Sequence, residues 1–249
     1  LMALAIFFIR EPVRGQSEAV NEEELSEYLK TKVPLKAYWE LRHIRSYVYN
    51  TAGMTLMTFA TGGLAYWMPT YFYRIRKIPL ADAGLYFGVA TLLAGIAGTF
   101  LGGWIADRLQ VRWKSAYFLV SGVGLLLSVP FALLALYADN PLVYWPSIFW
   151  AEFFLFVNTG PSNAIIINVT MPKMRVTAFA LNIFFIHALG DVISPVLIGR
   201  ISDLTNLHFA LLITMPVAML LSGIAYLLGT RHLVPDMERV LERMKNRSD

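Results

Sequence analysis

Apolar positions along this chain fall in long unbroken runs, not in the alternating or three-to-four-residue patterns of half-buried soluble elements. Six such runs follow one another: Ser46 to Tyr73, Ala81 to Ala106, Ser115 to Tyr137, Leu142 to Thr170, Val176 to Gly199 and Leu207 to Gly229. About 20 apolar residues in a helix cross a hydrocarbon core of about 30 Å, so each run is long enough to span, and several are long enough to tilt. The breaks between them are short and polar: Arg74-Ile75-Arg76-Lys77, Asp139-Asn140-Pro141, Pro172-Lys173 and Asp203-Leu204-Thr205-Asn206. Short connections make neighbouring helices antiparallel. The expected fold is an all-α membrane protein, a bundle of six transmembrane helices over residues 46–230.

The flanks have a different pattern. Residues 1–9 are apolar and are expected to be the end of a preceding transmembrane helix, with something upstream of it. Residues 10–45 are too polar to cross, and form a cytoplasmic connection. Within it Glu22, Glu23, Glu24 and Glu27 precede Lys30 and Lys32, an order that suits a helix dipole and equally a solvated linker. The stretch Pro34 to Ile44 sets Leu35 and Trp39 four residues apart among Lys36, Arg42 and Arg45, as an interfacial amphipathic helix would. Residues 231–249 are expected to form a short cytoplasmic amphipathic helix, with Pro235 near its start, Asp236 and Glu238 in its first turn, and Val234, Met237, Leu241 and Met244 down one face.

Composition supports lipid as the main solvent. Charged residues make up 15% of the chain, against about 25% in soluble domains, and the mean hydropathy is +0.54. The net charge of +4 does not point to nucleic acid, because the basic residues sit between apolar runs and form no stripe with interleaved aromatics. Their distribution instead sets orientation: 17 of the 21 Lys and Arg fall on the side shared by both flanks, and four, Arg74, Arg76, Lys77 and Arg200, on the other. The positive-inside rule places both ends of the chain in the cytoplasm, in a multi-pass protein of an inner or plasma membrane.

Enzyme chemistry finds no foothold. The chain contains no cysteine, which removes thiol nucleophiles and Cys-ligated zinc. His43, His187, His208 and His232 are scattered, with no His-Glu-x-x-His spacing, so no metal or other cofactor is expected. Nor does any selectivity element of a channel appear.

Ionisable groups at membrane depth cost at least about 2.5 kcal/mol each on insertion scales, so the few present stand out. On a continuous helix Glu152, Thr159 and Asn163 fall within about 40° of one another, a polar stripe along the fourth run that also passes Asn158. In the fifth run His187, Asp191 and Ser194 share a face at i, i+4 and i+7. Such stripes face a cavity or a partner helix. A carboxylate is an expensive way to glue helices, which favours a functional role for Glu152 and Asp191; Asn163 and Asn182 fit either role, and Ser194 fits hydrogen bonding to a neighbour. A lone histidine such as His187 is more often structural, although it can titrate near neutral pH. Tyr66, Trp67 and Tyr71 surround Gly62, Gly63 and Pro69 near the outer end of the first run, where they form either a gate or an interfacial aromatic belt. Glycines 84, 88, 95, 98 and 102 suit close helix packing.

One loop motif carries more. After the second run come Gly103-Trp104-Ile105-Ala106-Asp107-Arg108 and then Arg112. Glycine permits close approach, and an Asp at a helix end can cap a neighbouring helix or pair with Arg, so Gly103, Asp107, Arg108 and Arg112 are candidates for a latch between conformations. This loop resembles that of the major facilitator superfamily, in which each six-helix half carries one. Within it the chain is similar to the Spinster family of lipid transporters through Arg10-Glu11-Pro12-Val13-Arg14-Gly15, Thr61-Gly62-Gly63-Leu64-Ala65-Tyr66-Trp67-Met68-Pro69, Glu152 with Asn158, and Gly190-Asp191-Val192-Ile193-Ser194-Pro195-Val196-Leu197-Ile198-Gly199-Arg200-Ile201-Ser202-Asp203. The resemblance implies the C-terminal half of a twelve-helix fold, with an N-terminal six-helix half as its partner. It further implies alternating access and proton-coupled transport of an amphiphilic lipid such as a lysophospholipid or sphingoid lipid; small organic anions or other hydrophobic solutes are the alternative. On this basis the expected substrate and coupling pathway is Glu152, Thr159, Asn163, Asn158, His187, Asp191, Tyr66 and Trp67. In the family the key proton-coupling residues are thought to lie in the N-terminal half.

Overall fold

The computed structural model describes residues 39–245. The apolar remnant at residues 1–9, the acidic stretch, the Arg10-to-Gly15 motif and residues 246–249 lie outside the described residues. Trp39 and Glu40, the described end of the expected interfacial helix, are helical and lead into a 3₁₀ turn at Leu41–His43 that buries Leu41.

All regular structure among the described residues is helical. The helices are α1 (Arg45–Arg74), α2 (Leu80–Gln110), α3 (Ala116–Tyr137), α4 (Pro141–Phe156), α5 (Thr159–Val169), α6 (Arg175–Ile186), α7 (Ser194–Leu204) and α8 (Leu207–Lys245), with a π-helical turn at His187–Asp191 between α6 and α7. Four helical stretches are long and apolar enough to cross a membrane: α2, α3, the stretch Pro172–Leu204 and α8. Of the other two apolar runs, α1 has 30 residues but is diluted by Asn50, Thr51, Thr55, Thr58 and Thr61, and the fourth is divided between α4 and α5.

The division has a local cause. Pro161 has no N–H to bond the carbonyl of Val157 four residues back, and the chain turns at Val157 and Asn158 before α5 starts. The freed carbonyl group points at α2, where a side chain on Gly102 would collide with it, its β-carbon 2.7 Å from the Val157 carbonyl carbon. Gly98 meets the Phe153 carbonyl in the same way. Two of the glycines expected to pack closely therefore do so against α4, whereas an added β-carbon on Gly84 or Gly88 would meet nothing within 4 Å among the described residues.

In the fifth run the cause is Pro195, which leaves the Asp191 carbonyl without its helical partner. One turn earlier the backbone widens, and Val192 N–H bonds the His187 carbonyl at 3.2 Å, five residues back, the bonding of a π-bulge.

Helices α1, α3 and α8 form the core. Tyr226 of α8 is fully buried against Gly53 of α1, whose missing β-carbon would lie 2.5 Å from the ring. Gly122 of α3 and Gly223 of α8 approach backbone to backbone. Asn140 opens α4 by accepting from Leu142 N–H at 2.9 Å, with Pro141 at the first helical position.

The separate tail helix expected from Pro235 is not formed: α8 runs without a break from Leu207 to Lys245, with Pro235 inside it. Tertiary contact accounts for this. Leu233 and Asp236 are buried, and Asp236 Oδ2 accepts from Ser46 N–H at 2.9 Å. The far end of the chain thus satisfies one of the unpaired N–H groups at the start of α1.

Candidate transport site

The π turn brings the fifth run against α1. Gly190 packs its α-carbon on the α1 backbone, where a β-carbon would lie 2.9 Å from the Thr55 carbonyl oxygen, and Gly62 of α1 returns the close approach against Asp191. Glycine is required at both positions because the facing atoms are backbone or the root of a side chain.

On this seam an open groove of about 480 Å³ is lined by Gly62, Ala65, Tyr66, His187, Asp191 and Pro195, among others. His187 Nδ1 lies 2.8 Å from Asp191 Oδ2, with side chains 56% and 33% exposed, so the pair is reachable from the groove. The second Asp191 oxygen is buried, with no hydrogen-bond partner among the described residues. Trp67 Nε1 donates to the Pro195 carbonyl at 2.9 Å, joining α1 to α7, and Tyr66 meets the Trp67 ring edge-on at 5.2 Å. Tyr66 itself is 63% exposed. The groove therefore combines a hydrogen-bonded His–carboxylate pair and a large flat aromatic wall. Ser194 is on the same stretch but fully buried, its hydroxyl 3.5 Å from the Asp191 carbonyl. Tyr71, one turn beyond Trp67, turns away into the core and bonds the Leu136 carbonyl and His208.

Glu152 occupies a different place. It is 4% exposed, and its Oε1 accepts from Thr91 of α2 at 2.9 Å, while Oε2 has no partner among the described residues. Around it is an apolar cage that includes Met68, Phe87, Ile148, Met215 and Met219 and encloses about 30 Å³, room for about one water molecule. The expected stripe of Glu152, Thr159 and Asn163 does not form, because the break at Val157 and Asn158 ends the continuous helical phase: Glu152 is buried, Thr159 is half-buried and Asn163 is exposed. Asn158 is 1% exposed and donates to Tyr226 Oη at 3.2 Å, while Ser162 Oγ shares a hydrogen bond of 2.6 Å with the same hydroxyl. That network ties the α4–α5 break to α8.

The latch residues lie at the end of α2. Asp107 is exposed and accepts from Tyr117 Oη at 3.0 Å. The Arg108 guanidinium lies 4.9 Å from the Trp104 ring centroid. Gly103 lies under Gly160 of α5.

Against known proteins, the sequence profile of the Major Facilitator Superfamily matches residues 1–195. The chain belongs to that superfamily. It is thus an integral membrane protein of a transporter family. Protein spinster of Drosophila melanogaster is 35% identical over 212 residues, which cover 82% of this chain and 34% of that protein. A sphingosine-1-phosphate transporter of Xenopus tropicalis is 32% identical over 231 residues, 82% of this chain and 45% of that protein. The chain thus spans less than half the length of these curated relatives. Among solved structures, a bacterial homologue of the human lysosomal transporter Spinster, inward-facing and unoccupied, aligns with a TM-score of 0.64 at 16% identity, over 96% of this chain and 57% of that one. The Escherichia coli fucose:proton symporter aligns with a TM-score of 0.64 at 14% identity, over 92% and 63%. These likenesses show the major facilitator fold.

Three of the candidate residues, Tyr66, His187 and Asp191, thus line one groove, Trp67 braces it through Pro195, and Glu152 stands apart in a cage. Thr91, Ser162 and Tyr226 are further polar ties that the pattern of runs does not single out, and Asp236, expected only in the first turn of a tail helix, caps α1. The signal for the first two was available, since a hydroxyl within an apolar run needs a partner; Tyr226 and Asp236 gave none, because a Tyr in a span and an Asp in a tail are ordinary.

Proposed function

We propose that this chain is the second six-helix half of a secondary transporter that moves an amphiphilic lipid by alternating access with proton coupling. The observation that carries the proposal is the groove at the π turn. A reachable His–carboxylate pair offers hydrogen bonds to a polar headgroup, while Tyr66 and the apolar flank accept hydrocarbon. Kinship supports the lipid class, since relatives that match most of this chain include a sphingosine-1-phosphate transporter. The partner half is supported by coverage: the apolar windows of α2 and of Pro172–Leu204 are 22% and 28% buried, against 50% in α3 and α8, which leaves two spans largely uncovered within this half. Both chain ends face the cytoplasm in this proposal, and Asp107 with its neighbouring arginines holds one conformation through the other half.

The test is transport by the full-length protein in vesicles, with sphingosine-1-phosphate, a lysophospholipid and a small organic anion offered with and without a pH gradient. Movement of the lipids, accelerated by the gradient and reduced by Asp191→Asn, is the expected result. Movement of the organic anion alone overturns the substrate class, and lipid movement indifferent to the gradient overturns the coupling.

A further inference from the structure

A second groove, of about 650 Å³, lies between α1 and the stretch that runs from α6 into the π turn. Val48, Ala52 and Leu56 form one wall, and Leu181, Phe185 and Leu189 the other. The polar atoms along it are already engaged. Tyr47 Oη donates to the Ala178 carbonyl at 2.8 Å, Thr55 Oγ1 to the Thr51 carbonyl at 2.7 Å, and Thr51 Oγ1 accepts from Asn182 at 2.9 Å. A polar solute would find nothing to bond along these walls, whereas Val48, Phe185 and Leu189, 44%, 39% and 51% exposed, offer hydrocarbon.

The mouth of the groove is different. Trp39 and Arg42 bound it, the Arg42 guanidinium 5.1 Å from the centre of the Trp39 ring. Trp39 is 66% exposed, and among the described residues no carboxylate pairs with Arg42. Tryptophan beside a cation at the end of an apolar surface marks the membrane–water boundary, and an arginine there keeps its charge in the headgroup layer while its stem lies on hydrocarbon. The volume falls within the range of about 300–1,000 Å³ that holds a ligand of drug size.

We infer that this groove is a resident lipid site, holding an acyl chain of an anionic phospholipid against α1 and α6 with the phosphate on Arg42. Charge complementarity selects this occupant: a free anion would use Arg42 and leave the apolar walls bare, and an apolar helix would leave the cation without a counter-ion. Occupancy is independent of transport, so the site stands or falls apart from the proposed substrate.

The experiment uses the purified, delipidated full-length protein and reads its melting temperature with dioleoylphosphatidylglycerol, dioleoylphosphatidylcholine or soluble glycerol phosphate added. The anionic lipid is expected to raise the melting temperature by several degrees, the zwitterionic lipid by less and glycerol phosphate not at all. Arg42→Gln should bring the two lipids to the same small shift. Ala52→Trp, which fills the groove from an exposed position, should remove the shift for both. A photoreactive benzoylphenylalanine at position 185 should cross-link to dioleoylphosphatidylglycerol in vesicles. Equal shifts for both lipids in wild type, a full shift retained by Ala52→Trp, or cross-links only to another part of the protein would each overturn the site; the last would identify a helix as the occupant.

Discussion

A β-carbon on Gly62 would lie 2.7 Å from the α-carbon of Asp191, so the first and fifth apolar runs meet at a distance that only glycine allows. The obstacle is the backbone of the π turn, which cannot swing aside as a flexible side chain would.

Gly62→Ala should therefore lower stability by about 1–3 kcal/mol, the usual range for overpacking, and should disturb the His187–Asp191 pair in the same step. Gly84→Ala is the control, since nothing lies within 4 Å of its added carbon. Thermal melts of both variants check this, and equal melting temperatures would refute the close contact.

At the His187–Asp191 pair, Asp191→Asn replaces the carboxylate while keeping size and some bonding capacity, and His187→Gln removes the imidazole. Both side chains are partly exposed, so stability should change little, while transport by the full-length protein should fall for Asp191→Asn and its pH profile should shift for His187→Gln. Wild-type transport by both variants between pH 5 and 8 would move the coupling chemistry out of this groove.

Among the described residues Glu152 has one side-chain hydrogen bond, from Thr91. Thr91→Val keeps the shape of the side chain and leaves the buried carboxyl without a donor, at a cost of about 1–3 kcal/mol. If Glu152 carries protons, Glu152→Gln should impair transport more than it lowers the melting temperature; the reverse order would make the residue a structural tie between α2 and α4.

Asp236→Ala removes the side chain that accepts from Ser46 N–H. The loss should be about 0.5–2 kcal/mol, as for other helix caps, and should appear as faster hydrogen exchange at the start of α1. Unchanged exchange there would show that the α8 extension does not hold α1.

Orientation can be read from single cysteines, since this chain has none of its own. Val111 and Leu204 are 88% and 86% exposed on opposite ends of the bundle. An impermeant thiol reagent should label Val111→Cys from the cytoplasmic side and Leu204→Cys from the other; the opposite pattern would invert the proposed topology.

Run length alone determined that these segments are helices, because lipid offers no partner for an unpaired backbone group and a helix satisfies its own. The expected third run, Ser115 to Tyr137, and the helix Ala116–Tyr137 agree to one residue for this reason: apolar length and helix length are there the same quantity. The breaks were written as Pro161 and Pro195, yet what each break does depends on a neighbour. Gly102 receives the carbonyl group that Pro161 frees, and Gly190 seats the widened turn on α1. Phase is the deeper reason. Each residue adds about 100° around a helix axis, so one break or one π turn rotates everything beyond it and dissolves a stripe drawn on an ideal helix, as it did for Glu152, Thr159 and Asn163. The motif loop and the charge distribution were legible because they are local or additive. The burial of Glu152 in a cage, the turning of Tyr71 into the core and the continuation of α8 through Pro235 were decided only when distant segments packed, since each depends on atoms more than 60 residues away in the chain.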